Sequence, residues 1–196
     1  MSAMFDVVAS SILFGILILA VARVQGNLNS TMYQNTYNMT TQTTAVEIAR
    51  QVEHDFTKIG YRVTGQKVFT ADSTEIRFSG ALSYGGPIES VRHFWSDSPD
   101  TTTMNPLDHR LIRATTSGGA ISQRLGITVF RLSYFDTLHN RIPTPVTGLA
   151  ALSAIRSINV QIRFESFEPI PEADTSLYFA VNWEKLIYPR NLGKPK

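Results

Sequence analysis

Residues 7–22 read VVASSILFGILILAVA, closed by Asp6 on one side and Arg23 on the other. All 16 are apolar or small, and no soluble domain leaves such a run facing water. A helix crossing the hydrocarbon of a bilayer needs roughly 17 to 25 residues, a length this run reaches once residues 3–5 are counted around Asp6. Ala20-Val21-Ala22 has the small-x-small form that a signal peptidase accepts, but the basic region that precedes a signal core is missing. The helical pattern also carries on past Arg23. The run therefore reads as a retained span with the lipid bilayer as its partner. One Arg after it and none before it say little about orientation.

Outward from the span, residues 24–60 contain no proline, and only Gly26 and Gly60 interrupt helix-forming chemistry. Val24, Leu28, Met32, Met39, Val46, Ala49, Val52, Phe56 and Ile59 recur at steps that keep one helical face apolar. Asn27, Asn29, Asn35, Asn38 and the threonines of residues 40–44 have poor helix propensity, so this middle needs neighbouring helices over its stripe. Leu28, Met32, Met39 and Val46 form the stalk stripe. Val52, Phe56 and Ile59, with Val46 below them, read as the part that meets a folded head. Arg50, Glu53 and Asp55 are expected toward solvent or in i,i+3 and i,i+4 pairs. Gly60 suits a C-cap. The spacing predicts one helix over residues 4–59, roughly 84 Å long at about 1.5 Å per residue.

After Gly60 the period changes. Residues 67–71 and 74–78 read as a hairpin around Asp72-Ser73, and residues 85–87 as a turn. Residues 88–95, 109–115, 127–135, 155–164 and 177–183 read as strands. Residues 98–106, the stretch opened by Gly118-Gly119, and residues 141–148 read as loops. Hairpin-linked antiparallel strands against one helical face make an α+β fold. Three segments follow: a membrane helix over 1–24, its stalk and head-spanning continuation over 25–60, and a β-rich head over 61–196.

Composition narrows the chemistry. Eighteen Lys and Arg against sixteen Asp and Glu leave a net charge of +2, which gives no reason to expect a nucleic-acid partner. Cysteine is absent, which excludes disulfides, thiol catalysis and cysteine-based metal sites. His54, His93, His109 and His139 are scattered, and His93 beside Phe94 and Trp95 reads as a strand residue. No metalloprotease helix, phosphate loop or serine elbow is present. Asp97, Asp100 and Asp108 border a polar loop without calcium-loop spacing. No catalytic residue, metal ligand or cofactor is expected. Asn29 and Asn38 open glycosylation acceptors that matter only on a eukaryotic secretory route.

Four segments carry a resemblance. DVVASSILFGILILAV from Asp6 is similar to the membrane segment of type IV pilin-like proteins, with an acid near the start and Gly15 nine positions on. IARQVEHDFTKIGYR from Ile48 resembles the family's acid-hydrophobic-x-x-x-Gly-hydrophobic stretch. VFRLSYFDTLHNRI from Val129, followed by LSAIRSINVQIRFE from Leu152, resembles two sheet strands and their connection. YPRNL from Tyr188 is like the family's Arg-Asn-Leu ending. The chain is most similar to minor pilins and minor pseudopilins of the PilW and type II secretion J groups. It departs in carrying aspartate where the family has glutamate, and in having only residues 1–5 before that acid, without a leader glycine. The resemblance implies a non-enzymatic structural subunit of a pilus or pseudopilus. It implies a bacterial inner-membrane anchor with a periplasmic head, and partners in other pilin-like subunits and an inner-membrane assembly platform. Asp6 would set axial register and Gly15 would allow close helix approach. The competing expectation is a monomeric, membrane-tethered, β-rich binding module.

Overall fold

The computed structural model describes residues 2–170 and 177–193, with all side chains except those of residues 2, 3 and 123–125. Met1, residues 171–176 and residues 194–196, which the segment boundaries above include, lie outside the described residues.

A single helix, α1 (Ser2–Thr57), runs through Gly26 and the Asn/Thr-rich middle without a break. The weak helix formers are accommodated locally. Thr31, Thr36, Thr41 and Thr43 each donate a hydroxyl hydrogen bond to the carbonyl four residues earlier, at 2.8–2.9 Å. The helix ends at Thr57, two residues before the expected end, and the chain turns over residues 58–62, where Gly60 takes φ 72. The Gly60 N–H donates to Ser79 O at 2.8 Å, and Ala81 N–H donates to Tyr61 O at 3.1 Å. The turn is thereby stitched to the sheet.

Among the described residues the head is one antiparallel sheet of eight strands. β1 (Val68–Ala71), β2 (Glu75–Ala81), β3 (Ile88–Pro99), β4 (His109–Thr115), β5 (Gly119–Phe135), β7 (Ser157–Glu165) and β8 (Ala180–Ile187) lie side by side in that order. β6 (Arg141–Ile142) pairs only with the end of β5. The fold is α+β, with the long N-terminal helix against this sheet. β5 has 17 residues: its first part pairs with β4 and its second with β7, Ile127 pairs with both, and a register shift at Ile127/Val129 interrupts the β7 pairing just after this point. Such an irregularity bends a strand, and here the sheet folds back on itself. The β1–β2 turn reaches β5, where Leu132 N–H donates to Ser73 O at 2.7 Å and Tyr134 Oη–H to Asp72 O at 2.9 Å. The last turns of α1 fill the concave side. Ala45, Ile48, Val52, Phe56 and Ile59 are buried there with Ile76, Phe78, Leu111, Leu132 and Ile162.

Several elements differ from their expected bounds. β5 begins at Gly119, not near residue 127, because pairing with β4 supplies what the Ala-, Ser-, Gln- and Gly-containing stretch 120–126 lacks in propensity. The expected loop over residues 141–148 contains β6, and a short helix that was not expected, α2 (Leu149–Ala154), follows it and buries Leu152. β8 is displaced to residues 180–187: Leu177 O and Phe179 O instead accept bonds from Ile170 N–H and Ser166 N–H within the preceding loop. β3 extends to Pro99.

Candidate functional site

The unusual feature of α1 is how little of it the head covers. From Met4 (77% exposed) through the apolar run and on to Leu28, Met32 (66%), Tyr33 and Met39 (71%), large apolar side chains face outward. Burial begins at Thr41 and Ala45. An apolar surface of this length is far beyond what a monomer in water sustains. Asp6 and Gly15 lie on this exposed part, and a Cβ placed on Gly15 would meet nothing within 4 Å. The structure thus brings Asp6, Gly15, Leu28, Met32 and Met39 together only in being uncovered. Val52, Phe56 and Ile59 lie in the head core.

Val46 departs from the head-core expectation and is 48% exposed. It lines a groove with Ala45, Ala49, Arg50, Val181 and Trp183, about 320 Å³ in volume, between α1 and the last strand of the sheet. Glu53 also lines the groove, and Lys185 Nζ bridges to its Oε1 at 2.6 Å. Below it, the Tyr37 hydroxyl donates to the Glu168 carboxylate, tying the loop after β7 to the stalk.

Asp55 overturns the expectation that it faces solvent. It is 1% exposed, and its carboxylate accepts bonds from Arg113 Nε (2.6 Å), Arg113 Nη2 (3.1 Å) and His93 Nε2 (2.8 Å). Burial pushes the carboxyl up, but the hydrogen bonds and charges of His93 and Arg113 outweigh it and hold the group at about 2. His93 and Arg113 are register partners on β3 and β4, so one helical acid locks two strands. The adjacent Phe56 ring meets both Phe78 and His93 edge-on, at 6.0 and 5.5 Å between centroids. Sequence reasoning missed this trio because its members lie 38 and 58 positions from Asp55. The only available signal was an acid on the apolar face, one position before Phe56.

A second polar group sits at the stalk-proximal end of the head. Asn105 Nδ2 donates to Glu165 Oε2 at 2.9 Å, and Asp100 and Asp108 are buried beside it, joined by an Asp100 N–H to Asp108 O bond of 2.7 Å. Burial pushes the Asp108 carboxyl up to about 6, and the charge of Asp100 adds to the effect. The folded state therefore binds this proton more tightly than the unfolded chain, so stability falls as pH rises from about 4 to about 6. Asp108→Asn is expected to raise stability at pH 7.5 by about 1–3 kcal/mol and to flatten that window in urea titrations at stepped pH. Among the described residues no group of three or more His, Cys, Asp or Glu is placed to hold a metal ion.

No protein-family model, curated protein or solved structure matches the chain. The geometry itself supports a coarser statement. One long hydrophobic N-terminal helix packs by its last turns on an antiparallel sheet, an arrangement consistent with pilin-like architecture and compatible with a helix-anchored structural subunit. The helix is long and apolar enough to cross a membrane, and its apolar window is wholly uncovered by the head.

Proposed function

We propose that the chain is a structural subunit, a minor one, of a type IV pilus or type II secretion pseudopilus. It is held in the bacterial inner membrane by residues 1–24 with its head in the periplasm, and from there it enters a filament through α1. It performs no catalysis. Its partners are other pilin-like subunits and the inner-membrane platform that assembles them.

The observation that carries this reading is the division of α1. A tether needs only the span, and a flexible connection would serve it. Here residues 27–44 are helical, and their large side chains stay apolar and uncovered at Leu28, Met32 and Met39. A rigid rod with a greasy face suits packing against like rods. Asp6 and Gly15 fit the same scheme, Asp6 as an acid whose position at the edge of lipid demands a partner and Gly15 as a point of close approach.

Polar substitution on the stripe tests the reading. Met32→Asp combined with Met39→Asp places two carboxylates where neighbouring stalks close, and each unpaired buried charge costs at least a few kcal/mol. Incorporation into sheared filaments, quantified by immunoblot against the membrane pool, is expected to fall at least roughly tenfold. The head should still fold, as reported by its urea midpoint. Unchanged incorporation would remove the stalk from the assembly.

A further inference from the structure

The head carries a small cavity that the filament reading does not use. It lies between α2 and β1 and is about 210 Å³ in volume. The turn that ends α1 is its neighbour, since a Cβ on Gly60 would lie 2.7 Å from Lys67 Cδ. Val68, Leu149, Leu152 and Leu192 give the cavity an apolar wall. Lys67 and Arg156, both half-buried, line it as well, and among the described residues no Asp or Glu does.

The two cations are held by main-chain carbonyls. Lys67 Nζ donates to Asn191 O, and Arg156 Nη1 donates to Ser153 O at 2.7 Å and to Ile155 O at 2.9 Å. Among the described residues neither cation has a carboxylate partner, and Arg156 Nε and Nη2 donate to nothing. The acids on bordering segments are engaged in their own turns. Asp72, just past β1, accepts from the Ser73 amide at 2.6 Å. Asp136, next to the Phe135 carbonyl that takes the Arg156 N–H, accepts from the Leu138 and Asn140 amides. Part-desolvated cations beside an apolar wall suit an anion with an apolar body, and a guanidinium with free donors suits a carboxylate.

Size and surroundings select that body. Pockets that enclose a whole drug-sized ligand start at roughly 300 Å³. A smaller cavity takes one large side chain with its carboxylate, and a long acyl chain does not fit. β1 is an edge strand of the sheet. Its Ala71 carbonyl is taken by the Val146 N–H at 2.8 Å, while its Val68 end borders the cavity. Gly65 and Gln66 line the cavity just before that end, and among the described residues the N–H groups of residues 65–67 donate no hydrogen bond. Unpaired main-chain donors beside an edge strand are what an extended peptide uses to join a sheet, and what a terminal carboxylate seeks.

We propose that this cavity captures the C-terminal residue of a partner polypeptide. The terminal side chain, an apolar one, packs on Leu149, Leu152 and Leu192. Its free carboxylate meets Lys67 and Arg156, and the residues before it run along the 65–68 edge. The site belongs to the head and does not depend on whether α1 packs in a filament.

The test uses the full chain in detergent and fluorescein-labelled hexapeptides randomised over their last four residues, each made as free acid and as amide. Fluorescence polarisation is expected to find free acids ending in Leu, Ile, Val, Met or Phe with Kd below about 1 mM. Amidation of the best of them should weaken binding at least roughly tenfold, as should Lys67→Gln with Arg156→Gln. Arg62→Gln, which removes an exposed cation outside the cavity, should change it less than about twofold. Leu149→Asp should abolish binding without moving the urea midpoint of the head, because Leu149 is 64% exposed and an acid suits the first turn of a helix. This variant keeps the proposal testable if the double cation variant fails to fold.

The proposal is overturned if no peptide binds, if amides bind as well as acids, or if Leu149→Asp binds as the parent does. Sodium octanoate that binds as tightly as the best peptide and displaces it would make the occupant a free acid, which overturns the polypeptide assignment. None of these results touches the stalk, so the filament reading stands or falls separately on its own variants.

Discussion

Asp55→Ala is expected to lower the stability of the head by about 3–5 kcal/mol, because it strands the Arg113 guanidinium and the His93 ring in the core without their shared acceptor. Arg113 Nε and His93 Nε2 both bond the same carboxylate oxygen, Asp55 Oδ2, so no partial substitute keeps the arrangement. Asp55→Asn is expected to fall short of full rescue, since an amide carries one acceptor oxygen where the carboxylate has two. A variant replacing Asp55, His93 and Arg113 together by apolar residues of matched volume should recover most of the loss, because removing all the charges also removes their desolvation cost.

Urea denaturation followed by the fluorescence of Trp95 and Trp183 reads the effect directly. The pH dependence has a definite sign. The Asp55 carboxyl is depressed to about 2, so its contribution of about 2 kcal/mol is complete above about pH 4 and is lost as pH falls toward 2. The alanine variant should lack that acid limb. Retention of the limb would place its origin elsewhere.

Gly80→Ala is expected to destabilise by about 3 kcal/mol or more, at the upper end of overpacking penalties, because what it meets is backbone. A Cβ on Gly80 would lie 2.2 Å from Lys58 O and 3.2 Å from Lys58 C, where the helix end presses on β2. A flexible side chain swings aside, but a carbonyl fixed by the turn over residues 58–62 does not. Relief requires lifting the helix end from the strand, which breaks the Gly60 N–H to Ser79 O and Ala81 N–H to Tyr61 O bonds. Hydrogen exchange at the Gly60 and Ala81 amides should accelerate more than exchange in the middle of β7. Gly65→Ala, with nothing within 4 Å of the added methyl, is the control and should be nearly neutral.

The large features of the fold were legible because they repeat. The apolar run, the steps from Val24 to Ile59 and the alternation in residues 88–95 and 155–164 each state one period several times over. What depended on a single long-range contact was not legible. Asp55 sits on the apolar face of the helix, far in sequence from His93 and Arg113, and only the pairing of β3 with β4 brings them to it. The first half of β5, which lacks a clean alternation, is strand because β4 lies beside it. Val46 fits the stripe by spacing, yet the head stops short of covering it.

On the filament reading proposed above, the uncovered stripe on α1 is closed by the stalks of neighbouring subunits. Single cysteines at positions 28, 32 and 39, crosslinked with a short bis-maleimide in membranes where the assembly is working, put this closure to the test. Adducts to stalks of other pilin-like chains, identified by mass spectrometry, are expected at all three positions. Exclusively monomeric product from a protein that still supports the assembly would contradict it.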